Sequence, residues 1–455
     1  MSDETINNGV NRRDAMTIAG ATAFSALMAS GNFVHAAESN TINIALIGCG
    51  GRGTGAAINA LETKQGPVKI VAMADVFEDN LKGAHKAING KFPKQTEVPP
   101  ERQFIGFDGY KKAMDCLKPG DVAIFATPVA FRWVHFGYAI EKGLNVFMEK
   151  PVSLDGPSSV RMFKLAEESE KKGLKVSVGL MCRHCDARGE LYKKIRNGDM
   201  GDITFMRAYR MAGPTASAFS EKKPDGISEL AYQIRRFHSF LWASGGAYSD
   251  FLIHNIDECC WMKDAWPTQA KSSGGRHFRG NYIDQNFDTY STEFAFADGA
   301  KLFLEGRCIP GCHSEFASYA HGTKGSAIIS ESGHAPSHAR MFKAQNMIDS
   351  EISWKFEKPE PNPYQLEWEH LMDAIRKDKP HNEARRGTEA SLVTAMGRMA
   401  AHTGKIITRK MILESKHDFA PDADKLVIDG PAPIQADKDG KYPVPAPGLK
   451  GYKEF

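Results

Sequence analysis

Short apolar runs alternate with amphipathic stretches from residue 41 onward. Nearly continuous apolar runs predict buried strands, and stretches that are apolar at every third or fourth position predict helices. The predicted strands are Ile42–Ile47, Val68–Ala74, Asp121–Ala126, Asn145–Met148 and Lys175–Gly179. The predicted helices are Thr54–Leu61, Leu81–Ile88, Trp133–Lys142 and Gly156–Lys172, with a proline-containing connection over Phe92–Phe107. Apolar strands that alternate with helices are typical of a parallel sheet covered on both faces.

The pattern changes after about residue 181, where longer strands alternate apolar and polar positions. Two such strands flank Asp298-Gly299, a pair that favours a tight hairpin turn. A turn and a strand are predicted over His321–Ile329, and helices over Ala187–Asn197, Tyr364–Lys377 and Glu389–Thr403. We therefore expect an α/β protein with a doubly wound parallel-sheet domain, residues 41–180, and a C-terminal α+β domain with a large, mostly antiparallel open sheet, residues 181–415. Residues 416–455 predict an extended tail.

The first 36 residues predict an export signal that is separate from the folded domains. Arg12-Arg13 precede an uncharged apolar run, Ala15–Ser30, and the segment ends at small residues of the kind that signal peptidases cleave. At about 16 residues, the run is short for a membrane span. We expect residues 1–36 to be a twin-arginine signal peptide, and the mature protein to be periplasmic without stable membrane insertion.

Composition and charge indicate a globular protein that does not bind nucleic acid. The chain has 455 residues, of which 42% are hydrophobic and 25% charged, which suits a globular protein of two domains. Its formal net charge of +3 is close to balance and no basic stripe is present, so nucleic acid is not an expected partner.

Four of the cysteines, Cys182, Cys185, Cys308 and Cys312, could form a metal site. Buried free thiols are the favoured interpretation, and we expect no metal.

A glycine-rich turn between the first strand and the first helix has the spacing of a dinucleotide-binding fingerprint. Gly48, Gly50 and Gly53 follow a predicted strand and open a predicted helix, as the Gly-x-Gly-x-x-Gly motif requires. The helix N-terminus can bind a pyrophosphate through its amides. Asp75 ends the second strand, about 20 residues later, where a carboxylate binds the adenosine ribose. Because that carboxylate repels a 2′-phosphate, NAD is predicted over NADP, although the guanidinium of Arg52 could reach a phosphate.

Two later segments carry candidate catalytic side chains. Lys150 follows the strand Asn145–Met148, and a lysine at the carboxyl end of a parallel strand points into the crevice where ligands bind. Asp250, His254 and Asp257 repeat at helical spacing, so they lie on one face of a predicted helix. Polar side chains on a face that is otherwise apolar need a partner or a function.

These motifs together resemble the Gfo/Idh/MocA family, which contains glucose–fructose oxidoreductase and inositol 2-dehydrogenase. The resemblance rests on the glycine turn and on six further segments, which are Ala126-Thr127-Pro128, His135, Glu149-Lys150-Pro151, Val178-Gly179 with Arg183, Gly245-Gly246 before Asp250 and His254, and His321-Gly322-Thr323-Lys324-Gly325. It implies a Rossmann domain, a second domain that binds substrate and mediates a homodimer or homotetramer, and a sugar, polyol or glycoside substrate. The implied cofactor-binding residues are Gly48, Gly50, Gly51, Arg52, Gly53, Asp75, Thr127, Pro128, His135, Glu149 and Lys150.

The resemblance also implies a role for each candidate catalytic residue. Lys150 would hold the reacting hydroxyl near the nicotinamide, His254 would act as the general base, and Asp250 would position the hydroxyl or tune the histidine. A histidine, with an ordinary pKa of about 6.5, can accept the proton of an alcohol near neutral pH. Further candidates for contact with the substrate are Arg183, His184 and Asn255.

Three functions are compatible with these residues. The first is an NAD-dependent oxidoreductase that transfers hydride between a secondary hydroxyl of a sugar or polyol and a tightly bound nicotinamide cofactor. The second is an NAD-dependent glycoside hydrolase or lyase that uses transient oxidation and elimination. The third is a catalytically inactive protein that binds or senses sugars. The presence of Lys150, Asp250 and His254 together favours an enzyme.

Overall fold

A computed structural model describes residues 40–455 of the chain. The predicted signal peptide, residues 1–36, lies outside the described residues. Two β-sheets organise the rest, one entirely parallel and the other mostly antiparallel, which confirms the predicted fold class.

The first sheet is parallel and has the strand order β3-β2-β1-β4-β5-β6 within the described residues. Its strands are β1 (Ile42–Ile47), β2 (Val68–Asp75), β3 (Gln103–Ile105), β4 (Val122–Phe125), β5 (Asn145–Met148) and β6 (Val176–Val178). The five predicted strands agree with these to within one residue at each end. Strand β3 was not predicted, since it is a short edge strand in the proline-containing connection and lacks a continuous apolar run. The order reverses between β1 and β4, which is where open α/β sheets bind ligands.

Helices cover both faces of this sheet. They are α1 (Gly51–Leu61), α2 (Glu78–Lys91), α3 (Gly109–Asp115), α4 (Arg132–Glu141) and α5 (Gly156–Lys171). Helix α1 packs on the sheet through small residues, Gly53, Ala56, Ala57 and Ala60, all of them buried. Small side chains let the helix approach the strands closely, which brings its N-terminus to the end of β1.

The second sheet has the order β14-β13-β12-β11-β7-β10-β9-β8-β15 within residues 40–455. Its strands are β7 (Ile203–Ala212), β8 (Gln269–Gly275), β9 (Thr289–Ala295), β10 (Lys301–Cys308), β11 (Glu315–Gly322), β12 (Ser326–Ser330), β13 (Arg340–Phe342), β14 (Ile352–Lys355) and β15 (Ile407–Thr408). Strands β9 and β10 form the hairpin predicted at Asp298-Gly299. Within the described residues of this second sheet, β7 and β10 are the one pair of strands that run parallel.

The helices of this half connect the two sheets. They are α6 (Asp186–Arg196), α7 (Glu229–Arg235), α8 (Leu241–Ser244), α9 (Gly246–Lys263), α10 (Pro363–Arg376), α11 (Ala384–Thr403) and α12 (Arg409–Leu413). Helix α9 packs on the second sheet, where Phe251, Leu252 and Ile256 join its core. Helix α10 returns to the first sheet, and its buried Trp368 stacks on Phe147 of β5 at 4.5 Å between ring centroids. The second half therefore contributes α10 to the core of the first sheet.

The C-terminal tail runs back over the surface of the same chain. Beyond residue 415, its regular structure is a single 3-10 turn, Ala423–Lys425. The amide of Gln233 in α7 donates to the carbonyl of Ile434 at 2.8 Å. The buried carboxylate of Glu454 accepts hydrogen bonds from Arg398 and His402 of α11. These contacts attach the tail to α7 and to α11.

The helices and the metal-ligating side chains of residues 40–455 bear on other classes of function. None of the helices in this part of the chain combines the length and the apolar character of a membrane span. In the same residues, no group of three or more histidine, cysteine or acidic side chains has the geometry to hold a metal ion, and all eight cysteines are free thiols.

Candidate active site

The glycine turn is held in place by a carboxylate from the next strand. Gly48 has a positive φ of 94°, and a Cβ there would lie 2.6 Å from the backbone of Ala126, so glycine is required. At Gly53, a Cβ would lie 1.9 Å from the carbonyl oxygen of Gly48. The amide of Cys49 donates to Asp75 Oδ2 at 2.7 Å, which ties the turn to the end of β2.

The N-terminus of α1 is open to a ligand. Its N-cap residue, Gly50, is extended, and no side chain of the described residues caps the helix. A Cβ at Gly50 or Gly51 would have no neighbour within 4 Å. The first amides of a helix have no partner inside the helix. These amides can therefore bind a phosphate at the end of β1.

A cavity of about 370 Å³ lies beside this turn. It is lined by residues that follow β1, β2 and β4, and by residues of α7 and the turn after it. The lining includes Gly48, Gly50, Asp75, Asn80, Thr127, Pro128, His135, Arg235, Arg236 and Phe237. The cavity therefore lies between the two halves of the molecule, at the point where the strand order of the first sheet reverses.

Asp75 faces this cavity while it also shapes the turn. Its Oδ1 accepts the amide of Phe77 at 2.8 Å, and its Oδ2 accepts the amide of Cys49. Burial raises the pKa of this carboxyl, and the backbone amides act against that rise. A carboxylate has about four acceptor positions, so Asp75 can accept further hydrogen bonds from a hydroxylated ligand.

The loop after β4 is fixed by a buried arginine. Arg132 donates to the carbonyls of Phe125 and Thr127, each at 3.0 Å. The hydroxyl of Thr127 lies 3.2 Å from His135 Nδ1. Burial, together with the charge of Arg132, lowers the pKa of His135 to about 3, so this imidazole is neutral. Thr127 and His135 thus present neutral polar groups to the cavity.

Glu149 and Lys150 leave β5 with different partners. Glu149 is buried and pairs with Arg52 of the glycine turn, whose Nε lies 3.1 Å from Oε1. Lys150 donates through Nζ to the carbonyl of Asp250 at 2.6 Å, and its Nζ lies 3.4 Å from Asp250 Oδ1. Lys150 therefore joins the end of the first sheet to the start of α9.

Asp250 lies between two nitrogen groups. Its Oδ2 is 3.2 Å from His238 Nε2, and His238 Nδ1 is 2.7 Å from the hydroxyl of Ser217. Burial alone would raise the pKa of Asp250, but Lys150 and His238 lower it overall. Asp250 is consequently an anion that holds both Lys150 and His238 in position.

His254 lies one turn further along α9 and is buried. Its ring centroid is 4.3 Å from that of His334, and His334 Nδ1 is 3.0 Å from the hydroxyl of Tyr364. The ring of Tyr364 lies under the guanidinium of Arg52 at 4.8 Å. The Nδ1 of His254 is buried and has no hydrogen-bond partner among the described residues. The described protein therefore leaves one hydrogen-bonding position of His254 unfilled.

The surroundings of His254 keep it neutral. Burial, then His334 and the cation of Lys150, lower the pKa of His254 well below its ordinary value. Burial likewise lowers the pKa of His334 to about 3. A neutral imidazole next to an ammonium group can accept a proton from a hydroxyl whose oxygen the ammonium binds.

The three predicted substrate residues contact other protein groups. Arg183 makes a bidentate pair with Asp257 of α9 at 2.9 Å. His184 Nδ1 lies 2.8 Å from His370 Nδ1, and its Nε2 is 3.1 Å from Glu383. The fully buried Asn255 donates to Ser318 and to the carbonyl of Ala317. None of these contacts involves Lys150, Asp250 or His254.

Three further side chains of this site, His238, His334 and Tyr364, were not predicted from the sequence. His238 belongs to the 3-10 turn Phe237–Ser239, and His334 lies in an irregular segment between β12 and β13. Neither segment has a periodic pattern or a recognisable motif. Their proximity to α9 depends on how that helix packs on the second sheet and its connections, which no local spacing reports.

The chain is similar in sequence to an inositol dehydrogenase and in fold to sugar and polyol oxidoreductases. No family model matches the chain. Over 268 residues, the chain is 26% identical to the scyllo-inositol 2-dehydrogenase (NAD(+)) of Bacillus subtilis (strain 168), covering 57% of this chain and 69% of that protein.

Solved structures with the same architecture include two oxidoreductases. The aldose-aldose oxidoreductase from Caulobacter crescentus has a TM-score of 0.62 at 14% identity, covering 81% of this chain and 99% of that one. The myo-inositol 2-dehydrogenase from Lactobacillus plantarum has a TM-score of 0.59 at 21% identity, with 81% and 99% covered. The chain has the fold of these oxidoreductases. Its resemblance to inositol dehydrogenases, predicted from the motifs, is confirmed by the similarity in sequence.

Proposed function

We propose that this protein is an NAD-dependent oxidoreductase that transfers hydride between a secondary hydroxyl of a sugar or polyol and a tightly bound nicotinamide cofactor. The observation that carries the proposal is that Lys150, at the end of β5, contacts Asp250 of α9 and acts electrostatically on His254 one turn away. Lys150 and His254 come from different halves of the molecule, and each has the chemistry that oxidation of an alcohol requires. The similarity to an NAD(+)-dependent inositol dehydrogenase supports the same conclusion.

The residues around the cavity fit NAD. The uncapped N-terminus of α1 has space at Gly50 and Gly51 for a pyrophosphate. Asp75 lines the cavity and can accept hydrogen bonds from the ribose hydroxyls, while its charge disfavours a 2′-phosphate. Arg52 does not alter this preference, because its guanidinium pairs with Glu149. Thr127 and His135 line the same cavity and would contact the bound dinucleotide.

The chain's own groups handle the proton and the oxygen of the substrate. When bound, NAD supplies the nicotinamide ring that takes up the hydride from the carbinol carbon. The ammonium of Lys150 donates a hydrogen bond to the reacting oxygen and stabilises its developing negative charge. Neutral His254 accepts the hydroxyl proton through its ring nitrogen. Asp250 orients Lys150, and it is a positioning residue in this scheme.

Contacts between the two halves would retain the cofactor. Helix α7 of the second half lines the cavity through Ile234 and Arg235. Arg235 makes a bidentate pair with Asp79 of α2 at 2.8 and 2.9 Å, and its guanidinium lies 4.1 Å from the ring of Phe77. Release of a dinucleotide from this side requires α7 to move away from α2.

We also propose that the protein is exported and forms homo-oligomers. Arg12-Arg13 and the apolar run after them support export by the twin-arginine route. Phe205 and Phe303 are exposed on adjacent strands of the second sheet, where a second copy can cover them. Cell fractionation of a strain with Arg12-Arg13 replaced by lysines, and light scattering of the purified protein, test these two points.

Substitution of the two central side chains tests the proposed reaction. With NAD and a panel of sugars and cyclitols, Lys150→Ala and His254→Ala should lower kcat by about 10²–10⁴-fold, as expected for loss of an acid–base or electrostatic contribution. NAD binding, measured by calorimetry, should persist in His254→Ala. His313→Ala, at an exposed histidine outside this site, is the matched control and should retain full turnover.

Two results would contradict the proposal. Near-normal turnover in both variants would remove Lys150 and His254 from the reaction. Release of an aglycone from glycosides without net change in NAD, together with incorporation of solvent deuterium into the sugar, would instead indicate an elimination mechanism.

A further inference from the structure

An arginine that sequence analysis did not single out faces the candidate active site. Arg210 lies near the end of β7, two residues after Ala208 and four after Met206. Ala208 and Met206 are fully buried in the core that α9 shares with the second sheet. Because side chains alternate along a strand, Arg210 lies on the same face of the sheet as these two residues.

Ring contacts connect Arg210 to His254. The Arg210 guanidinium lies 4.3 Å from the ring of Phe316, its partner on β11. Phe316 meets His334 edge-on at 4.8 Å, and His334 is 4.3 Å from His254. The guanidinium is therefore only two rings away from the candidate general base.

The other cations around α9 are paired with carboxylates. These pairs are Lys150 with Asp250, Arg52 with Glu149, Arg183 with Asp257, and Arg188 with Glu258. Arg210 differs, because no carboxylate of residues 40–455 lies within ion-pair distance of it. Its Nε is buried and has no hydrogen-bond partner in this part of the chain. Asp250 acts on the charge of Arg210 only from beyond that distance, so the guanidinium lacks a direct anionic partner among the described residues.

We propose that Arg210 binds a carboxylate of the substrate, and that the substrate is an acidic sugar such as a uronate or an aldonate. The inference rests on the proposed function and specifies the substrate class. A planar guanidinium matches a carboxylate with two parallel hydrogen bonds. One unpaired guanidinium balances a single negative charge, whereas a phosphate monoester carries nearly two at neutral pH.

The position of Arg210 also suits the chemistry at His254. Its charge is one of those that, after burial, lower the pKa of His254. A carboxylate bound to Arg210 would offset that charge and make His254 a stronger base when substrate is present. Neutral sugars would leave the guanidinium both buried and unpaired, which disfavours their binding.

Direct binding tests the inference independently of turnover. The NAD-loaded protein is titrated by calorimetry with D-glucuronate against D-glucose, D-galacturonate against D-galactose, and D-gluconate against D-glucitol. At least one acid should bind 10-fold or more tightly than its neutral partner. D-glucose 6-phosphate is included to distinguish a carboxylate site from a general anion site.

Variants at two positions of β7 test whether Arg210 causes the preference for acidic sugars. Arg210→Met should reduce the ratio of acid affinity to neutral-sugar affinity at least 10-fold. Arg210→Lys should retain part of this ratio, because lysine keeps the positive charge but lacks the two parallel N–H donors of the guanidinium. Arg207→Met is the matched control. Arg207 lies on the opposite face of the sheet, over the ring of Tyr319, and its loss should leave the ratio unchanged.

The outcomes separate this inference from the proposed function. Preference for neutral sugars, no binding of any acid, or tighter binding of the phosphate would overturn the inference. So would an acid preference that Arg210→Met leaves intact. Oxidation of neutral polyols with NAD would then still support the proposed function. Conversely, Arg210-dependent binding of a uronate without NADH formation would support the inference and count against the reaction.

Discussion

At the scale of single residues, the ionisation of His254 decides how the site works. The imidazole is buried beside His334 and close to the cation of Lys150, and both lower its pKa in addition to burial. A base must be neutral to accept a proton. His254 in the free enzyme therefore stays competent at pH values where an exposed histidine is already protonated.

The pH profile of alcohol oxidation follows from this shift. Because a lowered pKa keeps His254 neutral as the pH falls, kcat/KM should show no loss of activity through an ionisation near 6.5, and its acidic limb should lie at lower pH. Since kcat/KM reports the free enzyme, the measurement is a profile of that ratio from pH 5 to 9 at saturating NAD. A break near 6.5 that disappears in His254→Asn would show that His254 titrates as an exposed histidine does.

Only some residues of the candidate site could be predicted from the sequence. Lys150, Asp250 and His254 could be named because a strand end and a helical repeat carry them. His238, His334 and Arg210 could not be, because each comes close to α9 only after that helix has packed on the second sheet and its connections. Arg183 and Asn255 were predicted to contact the substrate, and the structure gives them Asp257 and Ser318 as partners.

At the scale of elements, the start of α1 is the feature on which cofactor binding depends. Two glycines of this turn, Gly50 and Gly53, are needed for different physical reasons. Gly53 is required by packing, since a Cβ would lie 1.9 Å from the Gly48 carbonyl. Gly50 has an ordinary φ of −71° and no neighbour for a Cβ within 4 Å, so the fold itself allows a larger residue.

Alanine substitutions at these two positions should therefore have opposite effects. Gly50→Ala should leave the Tm nearly unchanged and weaken NAD binding 10-fold or more, because the added methyl occupies the space where a pyrophosphate approaches. Gly53→Ala should cost about 1–3 kcal/mol or more of stability through overpacking. Thermal unfolding of the ligand-free protein and NAD titration check both. Normal NAD affinity in Gly50→Ala would contradict a phosphate site at this turn.

Elements of the first sheet were predicted more completely than those that join the sheets. Strands buried on both faces have continuous apolar runs, so β1 and β5 were predicted with the observed bounds. The short helix α3 and the edge strand β3 lack such a signal. The packing of α10 against the first sheet, through Trp368, depends on contacts between distant parts of the chain.

At the scale of the whole molecule, the cavity beside the glycine turn lies between the two halves of the protein. The Arg235–Asp79 pair joins α7 to α2, and both partners are substantially exposed to solvent. Exposed pairs contribute about 0–1 kcal/mol and are screened by salt. Such a pair affects how often the halves separate much more than it affects the stability of the fold.

Loss of this pair should accelerate release of the cofactor. In Asp79→Asn or Arg235→Gln, the dissociation rate of NADH should rise about 2–5-fold, since less than about 1 kcal/mol is removed. The rate is measured by the decrease in NADH fluorescence on dilution. Added salt should accelerate release from the wild type and have less effect on either variant. Glu78→Gln is the matched control, because Glu78 pairs with Lys82 within α2 and does not touch α7. Equal dissociation rates in all four proteins would show that α7 does not control the exit of the dinucleotide.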